Sequence, residues 1–104
     1  MHTDSDNRQL IAMIKNVLKL FKTELAGYRV FVFGSRRTGR HGRMSDIDVG
    51  VLGKSPLDAT VFYRIEDAFE RLPTLRRVEW IDLKEASPRF RQMAVQSGEV
   101  LYEG

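Results

Sequence analysis

Two short segments with the composition of β-strands constrain the fold of this chain most: residues 28–33 (YRVFVF) and residues 46–52 (DIDVGVL). Aromatic and β-branched residues dominate the first segment, and β-branched residues recur at every second position of the other, as is typical of strands. Because successive side chains of a strand point to opposite faces, Asp46 and Asp48 must share one face. The residues of the other face, which are predicted to enter the core, are Ile47, Val49 and Val51.

Three further segments have helical features. Apolar residues recur every three or four positions over residues 5–26, which predicts an amphipathic helix. A second helix is predicted to begin with Ser55 as its N-cap and Pro56 at its first helical position, and to stop at Pro73. Residues 87–96 are predicted to form a short third helix, because a Ser-Pro pair opens this segment.

The remaining apolar segments complete a sheet. Residues 75–83 (LRRVEWIDL) alternate enough for a third strand, and residues 99–102 (EVLY) are a candidate fourth. The order of helices and strands predicts an α/β or α+β fold with helices packed on one face of the sheet. The other face is then left open for chemistry. A length of 104 residues, with 42% hydrophobic and 30% charged side chains, fits a single domain over residues 1–104.

Composition narrows the chemistry. The chain has no cysteine, so any metal must be bound through oxygen or imidazole ligands. No stretch approaches the roughly 18 consecutive apolar residues of a membrane span. The first residues, MHTDSDN, lack the basic and then apolar layout of a signal peptide. We therefore expect a cytoplasmic protein without a membrane partner.

A basic segment separates the first two predicted strands. Four of its arginines fall within eight residues: Arg36, Arg37, Arg40 and Arg43. Guanidinium groups match phosphate oxygens bidentately, although basic clusters are also common on ordinary solvated loops. Gly34 and Ser35 directly follow the first strand. Backbone N–H groups at such a turn, together with the serine hydroxyl, can cradle phosphate oxygens, and simple turn chemistry is the alternative.

Asp46 and Asp48 form a candidate metal site. Two adjacent carboxylates either share a proton or bind a cation, and Mg²⁺ prefers oxygen ligands together with substrate phosphates. An EF-hand loop is a poor fit, because its pattern requires further ligands at alternate positions and a glycine at the sixth. An inert surface pair stays open as an alternative.

A third carboxylate follows from the alternation of the strand predicted over residues 75–83. Trp80 is a predicted core residue, which places Glu79 on the opposite face together with Arg77. If this strand neighbours the one that carries the aspartates, Glu79 can reach their side of the sheet. Asp82 has the other parity and is kept as a reserve candidate. A solvated strand residue is the alternative interpretation of Glu79.

The combination of these motifs resembles the nucleotidyltransferase superfamily that includes DNA polymerase beta and kanamycin nucleotidyltransferase. More closely, it resembles the minimal nucleotidyltransferase (MNT) proteins, whose hallmark is a strand, Gly-Ser, a ten-residue spacer and Asp-x-Asp. The positions that match this hallmark are Gly34, Ser35, Asp46 and Asp48. The resemblance spans nearly the whole chain. Family members more often have Ala where Arg37 stands and Asp where Glu79 stands, although some superfamily enzymes have glutamate at the third position.

The resemblance implies the nucleotidyltransferase fold, with a mixed β-sheet, and transfer of AMP from ATP to a hydroxyl acceptor with the help of two Mg²⁺ ions. It implies that Asp46 and Asp48 bind both ions and that Glu79 binds the ion on the acceptor side. Gly34 and Ser35 would hold the β- and γ-phosphates. The candidates for neutralising the departing charge are Arg36, Arg37, Arg40 and Arg43.

The acceptor is implied to be another protein. Larger relatives bind drugs or nucleic acids with an additional domain, for which this chain has no room, and nucleic acid is not expected as a direct partner. MNT proteins are similar to antitoxins that pair with HEPN-domain RNase toxins, and some of them modify a tyrosine hydroxyl of the toxin with AMP. We therefore expect an adenylyltransferase antitoxin that forms a hetero-oligomer with a HEPN toxin. The alternatives are neutralisation of the partner by occlusion and nucleotidyl transfer to a small molecule or an RNA end.

Overall fold

The computed structural model describes residues 2–33 and 46–104. Within these residues the chain forms three α-helices, one short 3₁₀-helix and four β-strands. The α-helices are α1 (His2–Leu20), α2 (Ala59–Glu70) and α3 (Pro88–Ser97), and the 3₁₀-helix is Leu83–Glu85. The strands are β1 (Arg29–Phe33), β2 (Ile47–Leu52), β3 (Val78–Asp82) and β4 (Glu99–Glu103).

The four strands form one sheet in the order β3-β2-β1-β4. β1 pairs antiparallel with both β2 and β4, whereas β2 and β3 run parallel. Parallel neighbours need a long crossover connection, and α2 lies within the segment that joins β2 to β3. The predicted mixed sheet is confirmed. This pairing places β3, from the C-terminal half of the chain, directly beside β2, the strand that contains Asp48.

The main core lies between one face of the sheet and the helices α1 and α2. The predicted inward residues of β2 are each 1% exposed or less: Ile47, Val49 and Val51. They pack with apolar residues of both helices and of the neighbouring strands, among them Leu10, Ile14, Leu18, Val30, Ile65, Phe69 and Trp80. The Trp80 indole N–H donates a hydrogen bond to the backbone carbonyl of Phe62 at 3.0 Å, which ties β3 to α2. No helix in the described residues is long and apolar enough to cross a membrane.

The third helix lies on the other face of the sheet. Phe31 and Phe33 of β1 are both buried on that face, where they form a second core cluster with Leu83 and Ala94. The ring of Phe90 in α3 meets the ring of Phe33 edge-on, with 5.7 Å between centroids. The expectation of helices on one face therefore holds for α1 and α2 and is corrected for α3. The reason is that β1 is apolar on both of its faces, and both must be covered.

α2 begins at Ala59, later than the predicted cap at Ser55. Asp58 is the N-cap instead, and its Oδ2 accepts two backbone N–H groups of the first turn at 3.1 and 3.3 Å. The residue before it, Leu57, is buried, and its backbone N–H donates to Asp82 Oδ2 at 2.8 Å. This contact spans 25 positions of the chain and holds the segment out of the helix.

Two other boundaries differ from the prediction. α1 ends earlier than predicted, and residues 21–27 form turns that close at Gly27, whose φ of 85° lies in the left-handed region. β3 begins at Val78 rather than at residue 75, because Thr74 Oγ1 accepts the backbone N–H of Arg76 in a local turn. The predicted third helix and fourth strand are confirmed.

Candidate active site

The pairing of three strands places Phe33, Asp48 and Glu79 in one row across the sheet. Phe33 lies opposite Asp48 in the antiparallel pair, and Asp48 lies opposite Glu79 in the parallel pair. Neighbouring strands are about 4.8 Å apart, so the two acidic residues are direct neighbours on the same face. Both are partly exposed. The alternation of residues therefore predicted correctly that Glu79 reaches the side of Asp48.

Asp46 lies just before the first residue of β2 and is exposed. The backbone N–H of Ile47 donates to the carbonyl of Arg77 at 2.9 Å, which continues the parallel pairing up to the start of β2. Strand alternation then gives Asp46 the same side of the sheet as Asp48. Of the three carboxylates suggested by the sequence, Asp48 and Glu79 thus lie in two adjacent strands, and Asp46 lies just before β2.

Glu79 contacts a cation that lies one residue before the start of β3. Its Oε2 lies 3.1 Å from Nη2 of Arg77, which is two residues earlier and therefore on the same face. The Arg77 side chain is 73% exposed and that of Glu79 is 36% exposed. The sequence placed Arg77 on this face but did not indicate the ion pair, although the spacing of two residues along a strand is the signal that could have predicted it.

Asp82, the reserve candidate, has a different role. It lies on the face of Trp80, and its two carboxylate oxygens accept backbone hydrogen bonds. Oδ2 accepts from Leu57 at 2.8 Å, and Oδ1 accepts from Lys84 at 3.0 Å. Asp82 therefore fixes the start of the 3₁₀-helix and the segment before α2. The geometry favours Glu79 over Asp82 as the third carboxylate of the site.

An apolar layer borders the acidic row. The next position on the same face of β2 is Gly50, and Leu83 and Phe33 fill the space above it. Leu83 is fully buried and Phe33 is 2% exposed. No role was predicted for Gly50 from the sequence, although a glycine inside an apolar strand is a known signal of close approach by a neighbour.

The chemistry of the donors fits a hard cation. Asp48 and Glu79 are adjacent carboxylates, and Mg²⁺ prefers oxygen ligands of this kind. In residues 2–33 and 46–104, no three side chains of the ligand types His, Asp and Glu are grouped closely enough to hold a metal ion. The structure therefore brings Asp48 and Glu79 together as neighbours but does not gather Asp46 with them into the predicted cluster of three carboxylates. The other predicted site residues lie outside the described residues: Gly34, Ser35, Arg36, Arg37, Arg40 and Arg43.

The family follows from the motif, the fold and a direct sequence match. Residues 14–104 match the family model described as polymerase beta, nucleotidyltransferase. The chain belongs to this nucleotidyltransferase family. It is similar to the probable protein adenylyltransferase MntA of Haemophilus influenzae, with 30% identity over 83 residues. The match covers 80% of this chain and 70% of that protein. The resemblance to MNT proteins is thereby confirmed.

Solved structures confirm the nucleotidyltransferase fold. A toxin-antitoxin complex with AMP-PNP contains a chain of 27% identity and a TM-score of 0.60, matched over 86% of this chain and 73% of that chain. A complex of the tri-AMPylated Shewanella oneidensis HEPN toxin with its MNT antitoxin gives a TM-score of 0.61 at 23% identity. This second match covers 90% of this chain and 73% of the other.

Proposed function

We propose that this chain is a protein adenylyltransferase that transfers AMP from ATP to a hydroxyl group of a HEPN-domain toxin and thereby acts as its antitoxin. One observation carries the proposal: Asp48 and Glu79 are adjacent on one face of the sheet, in a chain that is 30% identical to the MntA protein. The MNT antitoxin of similar fold is in complex with a tri-AMPylated HEPN toxin, which supports this choice of acceptor.

The reaction is a substitution at the α-phosphorus of ATP. The acceptor oxygen forms a bond to this phosphorus while the bond to the bridging oxygen breaks, and pyrophosphate leaves with the electron pair. We assign Glu79 to the acceptor side, because β3 is an outer strand of the described sheet and the carboxylate of Glu79 is partly exposed. There a carboxylate oxygen of Glu79 takes the proton of the acceptor hydroxyl.

Asp46 and Asp48 are assigned to the nucleotide side. They lie where β2 begins, immediately after the segment that contains Gly34 and Ser35. Mg²⁺, when held by Asp46, Asp48 and Glu79, would supply positive charge that offsets the charge on the phosphate oxygens. The buried side chains of Leu83 and Phe33 lie beside Asp48 and Glu79 and restrict the approach of water from that side.

The finer features of the activity are part of the same proposal. We propose ATP as the nucleotide, a tyrosine hydroxyl as the acceptor, and Gly34, Ser35, Arg36 and Arg37 as phosphate-binding residues. A tyrosine presents its hydroxyl at the end of a rigid ring, which suits an acceptor that must reach a site on the face of a sheet. We further propose that the chain and the toxin form a stable hetero-oligomer.

The test is to incubate the chain with a HEPN protein from the same genome, Mg²⁺ and ATP, and to measure the intact mass of the HEPN protein. We expect mass increases equal to whole AMP units, and fragmentation of a digest should place them on tyrosine. The double variant Asp46→Asn with Asp48→Asn should give no increase. Asp67→Asn is the matched control, because Asp67 is an exposed carboxylate on α2 that is paired with Arg71.

Two outcomes would contradict the proposal. Neutralisation of the toxin by the double variant without any mass increase would support occlusion instead. Label from ATP that enters RNA or a small molecule, and not the HEPN protein, would support a different acceptor class.

A further inference from the structure

Arg77 is the cation that contacts the proposed acceptor-side carboxylate. We propose that Arg77 acts as an internal counter-ion, which holds Glu79 in the metal-free protein and must be displaced when a divalent cation binds. This inference rests on the proposed function, because the ligand role of Glu79 does. It adds a residue that tunes the metal affinity of the site.

The geometry defines the contact. The Arg77 guanidinium Nη2 lies 3.1 Å from Glu79 Oε2. The carbonyl of Arg77 accepts the N–H of Ile47 at 2.9 Å, so the backbone of Arg77 is fixed beside the beginning of β2. The register pairs Ile47 with Val78, so the residues directly before them, Asp46 and Arg77, lie at the same end of the two strands. Arg77 therefore belongs to the same end of the two strands as all three carboxylates.

The side chain of Arg77 is able to leave this position. The side chain is 73% exposed, so its guanidinium can replace the contact with the Glu79 carboxylate by contacts with water at a small cost in free energy. Displacement requires no change in the pairing of β2 with β3, because only the main chain of Arg77 takes part in that pairing. The contact is thus reversible within the folded sheet.

Arg77 and a divalent cation compete for Glu79, because both are positively charged and both interact with lone pairs of the same carboxylate. A carboxylate oxygen that accepts a hydrogen bond from a guanidinium is a weaker ligand for a cation, and the two positive groups repel each other. Exposed ion pairs of this kind change an equilibrium by about two- to fivefold. The metal-free protein also benefits, because Arg77 offsets the repulsion among neighbouring carboxylates.

The experiment measures Mn²⁺ binding to the purified chain, without ATP or partner, from the electron paramagnetic resonance signal of free Mn²⁺. Mn²⁺ is a suitable probe because it shares the oxygen-ligand preference of Mg²⁺. We expect Arg77→Gln to bind Mn²⁺ about two- to fivefold more tightly than wild type. Arg77→Lys keeps the charge and should bind with an affinity between those two.

Two controls separate competition from a general effect of charge. Arg71→Gln removes another exposed guanidinium, which is paired with Asp67 at 2.8 Å, and should leave Mn²⁺ affinity unchanged. In a Glu79→Gln background, Arg77→Gln should also have no effect, because the contested carboxylate is gone. Circular dichroism of each variant confirms that the fold is retained.

The possible failures are distinguishable. Equal Mn²⁺ affinity of wild type and Arg77→Gln would overturn the counter-ion role of Arg77 and leave the transferase proposal intact. An increase of the same size in Arg71→Gln would also overturn it, since the effect would then be net charge alone. Absence of Mn²⁺ binding in wild type and in Arg77→Gln would refute both the counter-ion role and the metal-dependent function.

Discussion

Replacement of Gly50 by alanine tests the packing that borders the acidic row. A Cβ at this position would lie 2.8 Å from Leu83 Cγ, 2.9 Å from Leu83 Cδ1 and 3.0 Å from Phe33 Cε1. Carbon atoms normally approach to about 3.5–4.0 Å, so these side chains must shift by roughly 0.5–1 Å. Both are buried, and overpacking of this kind costs about 1–3 kcal/mol.

A smaller gain opposes this cost. Alanine loses less backbone entropy on folding than glycine, which recovers about 0.5–1 kcal/mol. We therefore expect Gly50→Ala to lower the free energy of unfolding by about 1 kcal/mol, the difference between the typical values of the two terms. For a domain of about 100 residues this corresponds to a Tm lower by about 4–8 °C. Urea denaturation and thermal melting measure the two quantities.

Removal of the two closest obstructing atoms should abolish the cost of Gly50→Ala. Leu83→Ala deletes the two contacted atoms and by itself should cost about 2–5 kcal/mol, because it opens a cavity at a buried site. In that background Gly50→Ala should be neutral or stabilising, since the added methyl group enters the space vacated. An equal cost of Gly50→Ala in both backgrounds would refute the packing described for this layer.

Three further predictions concern the carboxylates. Asp48→Asn should leave the Tm unchanged or raise it, because repulsion between neighbouring carboxylates is relieved, and it should abolish Mg-nucleotide binding. A large decrease of the Tm in a melting scan would show that Asp48 is structural. Asp82→Ala should lower the free energy of unfolding by about 1–3 kcal/mol in urea denaturation, since two backbone N–H groups lose their acceptor. The affinity for Mn²⁺ should be retained. Loss of Mn²⁺ binding with unchanged stability would reverse the assignments of Asp82 and Glu79. Asp58→Ala should cost about 1 kcal/mol through loss of the α2 cap, and an unchanged urea midpoint would contradict the cap.

The parts of the fold that depend on local alternation were predictable. Burial of Ile47 and Val49 and the placement of Glu79 beside Asp48 both follow from the two-residue period of a strand. The pairing of β2 with β3 was only a condition in the sequence argument, since no local pattern specifies which strands are neighbours. The family resemblance was confirmed, whereas the individual roles of the site residues stay predictions.

The features that the sequence did not predict depend on distant contacts. α2 starts late because Leu57 is bonded to Asp82, and helix propensity at Ser55 carries no information about that bond. α3 covers the second face of the sheet because Phe31 and Phe33 alternate with residues that are also apolar and buried. The alternation in β1 therefore does not indicate which face is exposed to solvent. The extent of residues 1–104 as a single domain also stays a prediction.

The two halves of the proposed site are held to the sheet unequally. Asp48 belongs to a strand with a partner on each side, whereas Glu79 belongs to the strand at the end of the described order, and Arg77 directly precedes that strand. Sequence changes on the outer side of that last strand leave the pairing of the aspartate strand with β1 intact. On the proposed assignments, a change of the acceptor surface on the outer side of β3 therefore requires no change in the pairing of the strand that carries Asp48.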